Sequence, residues 1–60
     1  MESTETIHKS LHPLHDGWFI EEVELDRAKD YWLGKTGDDE RVYLSNVWGT
    51  ALKMAEAKIA

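Results

Sequence analysis

Sixty residues allow one small domain at most, close to the lower limit for folding without staples. The chain has no cysteine, which excludes a disulfide framework and a thiolate zinc site. Its formal charge of -5 disfavours direct binding to DNA or RNA, and no apolar run approaches the length of a signal h-region or a membrane span, so a cytoplasmic protein is expected.

In chain order, Met1 to Asp16 is polar and has no sustained period. Ile7, Leu11 and Leu14 are spaced by four and three, compatible with a short helical turn from Thr6 to Leu11 that Pro13 limits. We read residues 1–16 as a flexible arm and residues 17–60 as a single ββα-type domain. Asp16-Gly17 signals a turn, with Gly17 free to take a positive φ. Residues 18–25 read as a strand with Phe19, Val23 and Leu25 on one face and Trp18, Ile20, Glu22 and Glu24 on the other. Because neither face is cleanly apolar, a bulge near Glu21-Glu22 or a twisted edge strand is expected.

Residues 30–34 and 41–45 then form a hairpin around a polar connection holding Gly37, Asp38 and Asp39. Period-two alternation places Tyr31, Leu33, Val42 and Leu44 on the core side and Trp32 with Tyr43 on the opposite face, as a cross-strand aromatic pair. Residues 46–60 read as a helix capped by Ser45 or Asn46, with Trp48, Ala51, Leu52, Ala55 and Ile59 in one stripe. The expected fold is α+β: a small antiparallel sheet of about three strands packed by one C-terminal helix, preceded by the arm.

None of the chemical constellations reaches the strength of a site. On a helix, His8 and His12 would be one turn apart, but Pro13 breaks that geometry before His15, so no metal site is expected. Glu21-Glu22-Glu24 and Asp38-Asp39-Glu40 lack the apolar surroundings that split catalytic carboxylates and the alternating spacing of a calcium loop. Gly34-Lys35-Thr36 copies the end of a phosphate-binding loop without its first glycine and inside a hairpin. A non-enzyme without a cofactor is expected.

Charge and aromatics remain. Between Asp16 and Glu40, nine acids face only Arg27, Lys29 and Lys35, a balance of -6 that favours a basic partner surface. The expected partner-binding residues are Trp32, Tyr43, Glu22, Glu24, Asp38, Asp39 and Glu40, with the aromatics as anchors.

Tyr31-Trp32-Leu33-Gly34, Val42-Tyr43-Leu44, Ala51-Leu52-Lys53-Met54 and Ala55-Glu56-Ala57 give a pattern that resembles small uncharacterised phage and prophage accessory proteins. Those carry an aromatic "YWxG" strand, a second strand and an "ALxF…EAE" helix; Met54 stands where they usually have Phe. The resemblance implies a phage-type origin in a host cell. By size and acidity it suggests an anti-CRISPR-like inhibitor binding the basic surface of a host nucleic-acid-binding defence complex. The alternative is a small structural or assembly protein acting as a homodimer.

Overall fold

A computed structural model describes residues 7–60 as a four-stranded antiparallel meander with one helix packed on it. The elements are β1 (Ile7–Pro13), β2 (Trp18–Leu25), β3 (Ala28–Lys35), β4 (Val42–Ser45) and α1 (Trp48–Ile59), and the strands lie side by side in chain order. The α+β class holds, with one strand more than expected. Residues 7–13, read above as part of an arm, pair along their whole length with β2, from Ile7 opposite Leu25 to Pro13 opposite Phe19. The rest of that arm, residues 1–6, lies outside the described residues.

Turn chemistry fixes the register. Asp16 and Gly17, at φ 59° and 82°, close the first hairpin, and Trp18 N–H donates to His15 C=O at 3.1 Å. Positive φ at both central residues is the type I′ pattern, whose twist matches the flanking strands. Asp26 and Arg27 do the same between β2 and β3, at φ 56° and 71°, so that Leu25 faces Ala28. No glycine relieves this second turn, and Arg27 is held where an L side chain is disfavoured. The irregularity expected at Glu21-Glu22 lies instead between β3 and β4. Tyr43 faces Trp32 and Ser45 faces Tyr31, leaving Leu44 as the extra residue.

The helix covers one face. Ile20, Tyr31, Leu33 and Leu44 are buried against Ala51 and Ala55, whose small side chains let the helix lie close to the sheet. Leu14, Trp18, Leu52 and Ile59 pack around this cluster. Val42, expected in the core, begins an edge strand and is 45% exposed. Trp48 also sits outside the core, with its ring 5.4 Å from that of Tyr31 and 4.9 Å from that of His12. The helix starts two residues later than expected. Val47 is its cap residue and offers no side-chain bond, while Ser45 Oγ accepts from Val47 N–H at 3.1 Å.

Candidate binding face

The side of the sheet opposite α1 has no second layer among the described residues. Alternation brings Phe19, Glu21 and Val23 of β2 and Trp32 of β3 to this side, with Tyr43 of β4 beside Trp32. Trp32 and Tyr43 meet edge to face with ring centroids 5.0 Å apart. The Tyr43 hydroxyl donates to Asp30 Oδ1 at 2.9 Å, and this bond holds the phenol above its ordinary pKa of 10.0. Tyr43 remains 45% exposed.

Beside the aromatic pair lies an open depression of about 350 Å³ lined by Lys9, Glu21, Val23, Trp32 and Arg41. Arg41 builds much of it. Its Nε donates to Glu21 Oε1 at 3.0 Å, and Nη1 donates to the carbonyls of Asp38 and Glu40, both at 2.9 Å. Its guanidinium also lies 4.9 Å from the Phe19 ring centroid, a cation–π contact. One side chain therefore ties the acidic loop to the floor of the open face. Within that loop, Asp38 Oδ1 accepts from Glu40 N–H at 2.9 Å, an Asx-type turn.

Gly34 makes room for this arrangement. A Cβ placed there would stand 2.7 Å from Phe19 Cζ and 3.0 Å from Arg41 Cδ. Phe19 lies across the bare backbone of its cross-strand partner, and Arg41 lies over Phe19.

The expected partner-binding residues divide between two places. Trp32 and Tyr43 share the open face, and Arg41 links the loop holding Asp38, Asp39 and Glu40 to it through the Asp38 and Glu40 carbonyls. Glu22 and Glu24 pair with Tyr31 and Lys29 on the opposite, helix-bearing side. Glu22 is already engaged there, accepting from His12 Nε2 at 2.8 Å and lying 3.4 Å from Lys29 Nζ. The His12 hydrogen bond and the Lys29 ammonium hold its carboxyl below the ordinary 4.5, against the opposing effect of burial. Of the three β2 carboxylates, Glu21, the opposite neighbour of Trp32, is the one on the aromatic side. Parity along β2 separates Glu21 from Glu22, but only the β2–β3 register shows which faces Trp32.

The histidines stand on a strand and a turn instead of a helix. His8 and His12 are four residues apart along β1, about 13 Å at strand rise, so the chelating pair of a helical turn does not form. Among the described residues, no group of three or more histidine, aspartate or glutamate side chains is close enough to hold a metal ion, and no buried side-chain polar atom lacks a partner. No helix among them is long and apolar enough to cross a membrane.

Comparison with protein-family models, with curated proteins and with solved structures finds no match for this chain.

Proposed function

We propose that this chain is a non-enzymatic binding protein that docks on a lysine- and arginine-rich protein surface. Trp32 and Tyr43 are its anchors, and Asp38, Asp39 and Glu40 form its charged rim. The observation that carries the reading is the open aromatic face, tied through Arg41 to an exposed acidic loop. A partly exposed aromatic pair supplies the desolvated centre of an interface, and the acidic loop beside it steers the encounter. The excess of acids over bases supports a basic partner. Together with the resemblance to phage accessory proteins, it favours the nucleic-acid-binding surface of a host defence complex, with inhibition by occupancy.

The test is binding to purified nucleic-acid-guided defence complexes, alone and preloaded with nucleic acid. Reversal of Asp38, Asp39 and Glu40 to lysine should slow association and remove its salt dependence, whereas Glu24→Lys on the opposite face should have little effect. Tyr43→Ala should weaken binding by roughly tenfold or more, as loss of a central anchor does. Affinity unchanged by both the loop reversals and Tyr43→Ala would refute this surface as the site.

A further inference from the structure

Among the described residues, β1 is an unpaired edge of the sheet, seven residues long, whereas the opposite edge, β4, has four residues and adjoins the helix. Two turn bonds fix the direction of every backbone group on β1. Thr36 N–H donates to Gly17 C=O at 2.8 Å, and Leu14 N–H donates to Trp18 C=O at 2.9 Å. Carried along the register, they assign the odd-numbered residues of β2 to bonds with β3 and the even-numbered ones to bonds with β1. On β1, His8, Ser10 and His12 therefore turn their backbone groups inward. Ile7, Lys9, Leu11 and Pro13 turn theirs outward, and Pro13 has a carbonyl but no N–H.

We infer that β1 pairs with β1 of a second copy of this chain, antiparallel across a two-fold axis at Ser10, to make one continuous sheet. In this register Lys9 exchanges hydrogen bonds with Leu11 of the second copy, and Ile7 donates to the Pro13 carbonyl. Every outward N–H finds an acceptor, and the proline falls where only an acceptor is needed. Centring on Lys9 would oppose two like charges, and centring on Leu11 would leave Ile7 without a partner.

Two observations point to a second copy as the occupant. Ile7 and Leu11 are 55% and 61% exposed on the open-face side, and at this seam Ile7 lies beside Pro13 of the second copy while the two Leu11 side chains meet diagonally. β1 also carries one base and no acid, so two copies of a chain with net charge -5 approach at an acid-free strand. The two aromatic faces then lie on the same side of one sheet. The pairing is independent of the partner proposed above, because self-association is read without any partner.

Light scattering on the full chain over a concentration series should show a mass rising to twice the 6.9 kDa of one chain. Ser10→Cys introduces the chain's first thiol at the axis, in a non-hydrogen-bonded pair where cross-strand side chains are closest. Mild oxidation should link it into dimers several times faster than Thr50→Cys on the exposed side of the helix. Leu11→Pro deletes an outward donor and leaves the inward bonds of β1 intact, so it should give a folded monomer by mass and circular dichroism. If that variant fails to fold, the comparison of the two cysteines decides. A wild-type chain that stays at 6.9 kDa, linkage at Ser10→Cys no faster than at Thr50→Cys, or a dimer that survives Leu11→Pro would each overturn the pairing.

Discussion

Gly34 shows how one residue without a side chain can shape the open face. Phe19 and Arg41 occupy the space a Cβ would take, so Gly34→Ala must push the Phe19 ring away and loosen the guanidinium stacked on it. Overpacking of this kind costs about 1–3 kcal/mol. The expected outcome is a lower urea midpoint with an unchanged slope, together with chemical-shift changes that reach Phe19 and Arg41. The aromatic pair was legible in the sequence, because period-two alternation sets Trp32 and Tyr43 on one side whatever lies beyond the hairpin. Arg41 was not. It reads as an isolated base after three acids, and its bonds to Glu21 and to the loop carbonyls depend on the fold bringing β2 beneath it. The same contingency hid which β2 carboxylate lies beside Trp32, since the register that sets Glu21 against it rests on a tight turn at Asp26-Arg27 with no glycine to announce it.

Among the elements, α1 and the β3–β4 hairpin followed from local pattern, and β1 did not. An edge strand exposed on both sides has no need of an apolar face, and Ile7, Leu11 and Leu14 share a spacing that also suits a helix. The available signal was Asp16-Gly17 between two segments of similar length, a hairpin turn with seven residues of β1 before it and eight of β2 after it. The start of α1 has a correctable weakness. Val47 occupies the cap position in an extended conformation, φ -120° and ψ 126°, without a side-chain bond to the first turn. Val47→Ser should stabilise the domain by about 1 kcal/mol, because serine can satisfy an N–H that valine leaves to solvent. Thermal unfolding followed by far-UV circular dichroism measures the gain, and an unchanged or lower midpoint would contradict this assignment of the cap.

At the scale of the whole molecule, stability depends on a small core and on polar contacts between neighbouring strands. The Glu22–His12–Lys29 cluster joins β1, β2 and β3, and its pH dependence has a definite sign. Because the folded Glu22 carboxyl lies below its ordinary 4.5, its contribution is fully present above that pH and is lost as pH falls through the depressed value. The urea midpoints of wild type and Glu22→Gln should therefore differ at neutral pH and converge in acid. Tyr43 works in the opposite direction. Its raised pKa gives a contribution present below 10.0 and lost in stronger base, and Tyr43→Phe should abolish that loss.

The helix on one face and the aromatic pair on the other define both the fold and the proposed site, and a one-residue slip of β3 would exchange the two faces. Nuclear Overhauser contacts from the Trp32 indole and from the Ala51 and Ala55 methyls test that division most directly. The arrangement predicts contacts from Trp32 to Tyr43, and from the alanine methyls to Ile20, Leu33 and Leu44. Contacts between the Trp32 indole and the alanine methyls would place the tryptophan in the core and contradict the open aromatic face.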